Sequence, residues 1–317
     1  MKIRIGYAYR RTADEAPITV TEHFEACVRG LERLRFDSLW MSEQVTGPEL
    51  APAVALAYAA GRTRRIKIGT SVMTLPGRSP ARLAAALASL DQLSGGRFLP
   101  AFGLGNTAGF EPQAFAVAGG DRTGWLEEGL PLLRRFWSGE PVTHAGRHFH
   151  YDGLRVGPRP AQPSMDVWLG GAAPAALRRV GRLADGWLAS FTHPAEAGRG
   201  RTVVEAAARE AGRMIDPEHF GAVVSYRRGP LPPRARARIA ELRSGRDPAG
   251  GDPVDADLVV PSVEDLRRRL VEYADVGVSK FVLTPMHRPL DWAGELAEVA
   301  DAVLDLQEAP PAAREEP

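Results

Sequence analysis

An α/β fold, a (β/α)8 TIM barrel, is what the sequence predicts, and three observations predict it. Short strand-like runs alternate with stretches of helical period along the chain. Many of those strand runs are continuously apolar rather than strictly alternating, as parallel strands are when helices cover both faces of the sheet. The length, 317 residues, suits one barrel with insertions and does not demand a second domain.

Taken in order, residues 2–9 read as a strand, and residues 19–36 place Phe24, Cys27, Val28, Leu31 and Leu34 on one helical face. Residues 38–43, 49–63, 66–73, 80–93 and 97–105 continue the strand and helix rhythm, which makes four steps. A long helix is expected over 119–139. Residues 141–163, rich in Pro, Gly, His and aromatics, form an inserted region with a hairpin core at 148–156. The rhythm resumes at 166–171, 174–184, 187–191, a helix around 203–214, and 220–227. Residues 229–257 are rich in Pro, Arg and Asp with a short helical pattern at 234–243, so a mobile crossover loop, able to act as a lid, is expected there. Residues 263–276 form an amphipathic helix, 280–284 the last strand and 292–306 the closing helix. One domain over 1–306 and a flexible tail at 307–317 follow.

Composition narrows the function classes. Lys plus Arg number 40 and Asp plus Glu 39, a formal charge of +1 that gives no broad field for nucleic acid or an anionic membrane. The expected partner is a small molecule. A single cysteine, Cys27, excludes an intrachain disulfide and a thiolate metal site and fits a reducing cytoplasm. The amino terminus has no pattern of an export signal, and no apolar run approaches the roughly 20 residues needed to span a bilayer, so a cytoplasmic location is expected.

In a parallel barrel, chemistry sits at the carboxyl ends of the strands. Those ends offer Tyr7, Tyr9, Glu43, Gln44, Ser71, Val72, Thr74, Gly103 to Asn106, Gly170 to Ala173, Phe191, Arg227 and His287. Metal binding is rejected, because His287 alone of seven histidines lies near a strand end, while His148 and His150 fall in the inserted hairpin. No Gly-x-Ser-x-Gly elbow supports a serine nucleophile. Gly103-Leu104-Gly105-Asn106-Thr107-Ala108 has dinucleotide-motif spacing, but Gly109 and Pro112 interrupt the helix such a motif must open. Its glycines either admit a flat or anionic ligand or turn a barrel corner. Gly170-Gly171-Ala172-Ala173 precedes a helix start, where free backbone amides suit a phosphate; a plain chain turn is the other reading.

Several stretches in order resemble the luciferase-like superfamily of flavin and coenzyme F420 oxidoreductases. They are Phe36-Asp37-Ser38-Leu39-Trp40, Ile68-Gly69-Thr70-Ser71-Val72, Ser79-Pro80 with Leu83-Ala84, Leu90-Asp91-Gln92-Leu93-Ser94-Gly95-Gly96-Arg97, Gly103-Leu104-Gly105, Gly170-Gly171 and Ala184-Asp185-Gly186-Trp187. The block from Leu90 to Arg97 is the most specific. The resemblance implies a tricyclic ring in the barrel mouth, a non-proline cis peptide between Ser71 and Val72 forming a bulge against it, and Thr74 and Gly105 beside it. It also implies Asn106 at the ring's polar edge and a phosphate at Gly170, Gly171, Ala172 and Ala173. It favours F420 over FMN, hence hydride transfer with a small organic substrate. An FMN monooxygenase using oxygen and a non-catalytic coenzyme carrier are the alternatives. Relatives that oxidise alcohols carry a histidine base after the second strand, where this chain has Glu43-Gln44; an acid follows their fourth strand, where Glu111 is displaced. Glu43 and Gln44 are therefore the catalytic candidates, with a structural role open for Glu43. Tyr7, Tyr9, Phe191, Arg227 and His287 are expected to line the substrate space, and Arg122, Arg227, Arg228 and Arg288 to be available to an acidic coenzyme tail. Trp40 reads as core. The family implies a homodimer.

Overall fold

The computed structural model describes residues 1–10, 19–106, 109–117, 120–231, 233–244 and 258–307. Its strands are β1 (Arg4–Tyr9), β2 (Ser38–Met41), β3 (Lys67–Thr70), β4 (Met73–Thr74), β5 (Phe98–Leu99), β6 (Ala101–Gly103), β7 (Val142–Ala145), β8 (His150–Leu154), β9 (Trp168–Gly170), β10 (Gly186–Ser190), β11 (Phe220–Tyr226), β12 (Val259–Val260) and β13 (Lys280–Pro285). β3 and β4 are the halves of one stave broken at Ser71-Val72, and β5 and β6 the halves of another broken at Pro100. Counted so, every stave pairs in parallel with the next and β13 pairs back onto β1, closing a ring of eight. β12 lies beside the upper end of β11, and β7 pairs with β8 as an antiparallel hairpin outside the ring.

The helices follow the staves: α1 (Val20–Arg33), α2 (Pro52–Arg62), α3 (Pro80–Ser94), α4 (Glu111–Ala114), α5 (Arg122–Trp137), α6 (Pro174–Leu183), α7 (Pro194–Glu210), α8 (Pro233–Ser244), α9 (Leu266–Asp275) and α10 (Trp292–Val303). Helix α1 opens on a capping box, Thr19 with Glu22, and α3 opens on Ser79-Pro80 and stops where Gly95 adopts φ +67°. The helix expected around 203 starts nine residues earlier, at Pro194, because His193 and Glu196 cap its first turn reciprocally. The helical pattern at 234–243 is α8; residues 245–257 of the expected crossover loop, and 308–317 of the expected tail, lie outside the described residues. Gln307 is not loose, since its side chain accepts from the Ile5 amide at 2.9 Å. No described helix is long and apolar enough to cross a membrane.

Successive strand residues face opposite sides, so each stave has a lumen face and a helix face. The lumen is filled by Ala8, Trp40, Ala101, Trp168, Leu188 and Val282, with Val72, Leu99 and Val223 against them. The helix face carries the larger apolar shell, including Ile5, Tyr7, Tyr9, Phe281 and Leu283. Trp40, expected as core, fills the lumen and is fully buried.

Candidate active site

The mouth is built around the break in the third stave. The Ser71-Val72 peptide is cis. Both of its flanking carbonyls are held: Ser42 Oγ donates to Ser71 O at 2.8 Å, and the Glu43 amide donates to Val72 O at 3.1 Å. Val72 then projects into the lumen between the next two staves. A β-carbon added to Gly103 would lie 2.8 Å from Val72 Cγ2, and one added to Gly170 3.1 Å from Val72 Cγ1. These two glycines make room for the valine. Gly105, at φ +79°, brings its backbone over Thr74, whose Oγ1 would be 2.7 Å from an added β-carbon, and under the guanidinium of Arg122. Arg122 Nε donates to Leu104 O at 2.9 Å and fixes that turn. Ser71, Val72, Thr74, Gly105 and Gly170 are thereby brought onto one side of the mouth, with Asn106 next in the chain.

Gly171 closes the adjacent corner at φ +115°, and its carbonyl accepts from Trp187 Nε1 at 2.8 Å. Helix α6 then starts at Pro174, with Ala173 as N-cap and no side-chain hydrogen bond on its first amides. Its amino end, reached through Ala172 and Ala173, is thus available to an anion.

Glu43 is placed otherwise than a free base would be. Its side chain is 7% exposed; Oε2 accepts from the Thr74 amide at 2.9 Å and Oε1 from Arg78 Nη2 at 2.5 Å. Burial pushes its pKa up, with Arg78 opposing and Glu111 adding to the rise. The carboxylate ties the second stave to the segment after the cis bond, a positioning role. Gln44 is exposed on the rim. Glu111 is buried too, and its Oε1 accepts from the amide and the hydroxyl of Thr46, both at 2.7 Å.

Several expected substrate contacts are not at the mouth. Tyr7 and Tyr9 lie on the helix face of β1, fully buried, because the lumen face of that strand belongs to Gly6 and Ala8. The Tyr7 hydroxyl bonds Tyr226, which donates to Glu295 of α10, and Tyr9 Oη is 3.0 Å from His23 Nδ1. Burial is the main cause that raises the Tyr7 pKa well above its ordinary value. His287 follows the same outward path: it packs on Tyr226 with ring centroids 5.6 Å apart, and its Nε2 is 3.3 Å from Glu295 Oε2. Arg228 is committed there as well, to Glu295 at 3.0 Å and Glu298 at 2.8 Å, and so is not available to a coenzyme tail. Phe191 and Arg227 stay at the mouth. Phe191 adopts φ +51° at the end of β10 and packs, with Met286, against Leu231, Ile239, Leu258 and Val259.

Sequence reasoning missed Ser42 and Arg78, which hold the bulge, and Ser225 and Thr284, which face the lumen at the carboxyl ends of β11 and β13. The signal was available for the latter pair: each is a hydroxyl at an alternate position from lumen residues, Val223 and Val282.

The chain is similar in sequence to proteins of known activity. An F420-dependent glucose-6-phosphate dehydrogenase of Nakamurella multipartita is 32% identical over 161 residues, 48% of this chain and 47% of its own length. A 5,10-methylenetetrahydromethanopterin reductase of Archaeoglobus fulgidus is 25% identical over 282 residues, 89% of this chain and 80% of its own. The match to the dehydrogenase thus spans about half of that relative's length. Two solved structures share the fold over 96% of this chain. One is a coenzyme F420 dependent tetrahydromethanopterin reductase from Methanopyrus kandleri, at TM-score 0.75, 18% identity and 99% of its length. The other is the oxygenating constituent of 3,6-diketocamphane monooxygenase from Pseudomonas putida in complex with FMN, at TM-score 0.73, 19% identity and 98% of its length. The luciferase-like monooxygenase family matches residues 1–309, and the chain, with the cis peptide that its resemblance implied, belongs to that family.

Proposed function

We propose that the protein is an F420-dependent oxidoreductase that moves a hydride between the deazaflavin and a small organic substrate. The observation that carries this reading is the shape of the mouth: Val72, in a turn pinned by Ser42 and Glu43, sits between Gly103 and Gly170 beside the uncapped start of α6. The F420 dependence named for the Nakamurella dehydrogenase and the Methanopyrus reductase supports the choice of coenzyme.

The residues fit such a group. The backbone from Ser71 to Thr74 would support one face of the ring; Gly105 and Asn106 would meet its edge. Gly170 to Ala173, at the uncapped start of α6, would hold the phosphate. When bound, the deazaflavin supplies two-electron hydride chemistry at its central carbon. The protein's part is positioning: Glu43 and Arg78 fix the bulge, and Phe191 with Met286 walls the space above it. Gln44 on the rim and the engaged Glu43 leave proton transfer to another group or to water.

The FMN monooxygenase reading is favoured by one finding, the fold shared with the FMN-bound Pseudomonas component. Side-by-side fluorescence titration of the purified protein with F420 and FMN separates the readings. Tight F420 binding with at least about a hundredfold weaker FMN binding is expected, about 2.7 kcal/mol of preference. The reverse preference assigns the monooxygenase, and F420 binding without bleaching by any substrate assigns a carrier. Sedimentation of the same sample tests the proposed homodimer.

A further inference from the structure

We propose that Arg227, Thr284 and Ser225 form a subsite for an anionic oxygen group, a carboxylate above all, carried by the substrate. Three observations lead to it. The first is direction. On β13, Lys280 and Val282 face the lumen while Phe281 and Leu283 face the helices, which turns Thr284 inward. On β11, Val223 faces the lumen whereas Val224 and Tyr226 face the helices, which turns Ser225 inward, directly opposite Thr284 in the parallel register. Beyond it, Tyr226 and Arg228 both reach outward to Glu295, so Arg227 between them points to the mouth.

The second is hydrogen bonding. Thr284 is 6% exposed, and its Oγ1 is buried with no hydrogen-bond partner among the described residues. Arg227 Nε is likewise buried and unpartnered, although its Nη1 donates to the Gly229 carbonyl. Buried donors without partners are costly, and two of them converging on one wall of a mouth mark a place for an acceptor. The third is charge. Arg227 has no carboxylate within ion-pair distance among the described residues, while its neighbour Arg228 has two. A guanidinium with a free Nε edge and an adjacent hydroxyl suits a carboxylate, which accepts several donors at once.

The position completes the assignment. β11 and β13 are the seventh and eighth staves, whereas the Val72 bulge and its two glycines occupy the third to fifth across the lumen. An anion held at Arg227 would therefore face the coenzyme ring from the opposite wall. This deepens the proposed activity and rests on it for the word substrate; anion binding itself does not depend on which coenzyme is used.

The test uses acetate as probe and acetamide as its neutral counterpart, on full-length protein labelled with 15N. Acetate is expected to shift the Arg227 Nε–H resonance saturably, and acetamide to leave it in place. Arg227→Gln should weaken acetate binding about ten- to a hundredfold and Thr284→Val by about tenfold, with F420 affinity unchanged in both. Arg227→Gln is followed through the backbone amides of Thr284 and Ser225. Absence of an acetate response in the folded wild type overturns the proposal. So does a variant that loses F420 affinity while still binding the deazaflavin that lacks the acidic tail, because the cation then serves the coenzyme. Acetate binding without binding of either F420 or FMN would instead overturn the proposed function and leave the subsite standing.

Discussion

The two ends of the barrel are made from the same staves and differ in how completely their buried polar groups are matched. At the amino-terminal floor Lys280, Arg4 and Arg97 are all matched. Lys280 Nζ sits 2.7 Å from Asp37 Oδ2, Arg4 pairs with Glu218, and Arg97 donates to the carbonyls of Ile66 at 2.7 Å and Ala60 at 3.1 Å. At the carboxyl-terminal mouth, Thr284 Oγ1 and Arg227 Nε are buried without partners among the described residues. Satisfied polar groups hold a fold together, and unsatisfied ones are retained where a ligand completes them. The floor is therefore the stabilising end, and the mouth is the end at which we propose that ligands bind.

Substitution of the floor should give the largest loss of stability. Lys280→Met removes the 2.7 Å ion-pair partner of the buried Asp37 carboxylate and leaves only the more distant charge of Lys67, so it is expected to cost about 3–5 kcal/mol in urea unfolding. Coenzyme affinity of the folded fraction should not change; a change would break the division between the two ends. An intermediate loss is expected outside both, at Glu295. Burial alone would raise that carboxyl, but His287, Tyr226 and Arg228 outweigh it and hold its pKa below the ordinary 4.5. A depressed folded pKa contributes stability above the unfolded value that is lost as pH falls through the folded one. Glu295→Gln should therefore cost about 1–3 kcal/mol near neutrality. The gap from wild type should stay level down to about pH 5 and close below about pH 4, as read from melting curves across pH. A gap that widens on acidification would show that the carboxylate is not what its neighbours hold.

The smallest effect belongs to the mouth, and its sign is the sharpest test. Thr284→Val replaces an orphaned hydroxyl by a methyl of the same shape, so stability should stay level or rise by up to about 1 kcal/mol. A loss comparable to that at Glu295 would mean that the hydroxyl already has a partner in the free protein.

The order of strands and helices was legible because period two and period 3.6 are written into each short segment. The breaks at Ser71-Val72 and Pro100 leave the same apolar run as an unbroken strand, and only the family resemblance pointed to the first. The faces were harder to read. Both sides of a barrel strand are buried, so alternation separates Tyr7 and Tyr9 from Gly6 and Ala8 without saying which pair meets the lumen. Size would have helped: the narrow lumen, already holding Trp40 and Trp168, takes glycine and alanine and sends the tyrosines outward. The block from Leu90 to Arg97 carried the resemblance most specifically, yet its side chains serve the floor. Asp91 accepts from the amide and the side chain of Gln162, at 2.9 and 2.7 Å, and Arg97 bridges carbonyls. A motif can thus identify a family through its architecture while the chemistry sits elsewhere.

Val72 and the two glycines that flank it share one small volume, in which a β-carbon at either glycine would fall within 3.1 Å of a valine methyl. The three positions, distant in sequence, are therefore not free to drift independently. Across descendants of this chain, growth of a side chain at 103 or 170 is admissible together with shrinkage at 72, and the triplet should be inherited as a unit.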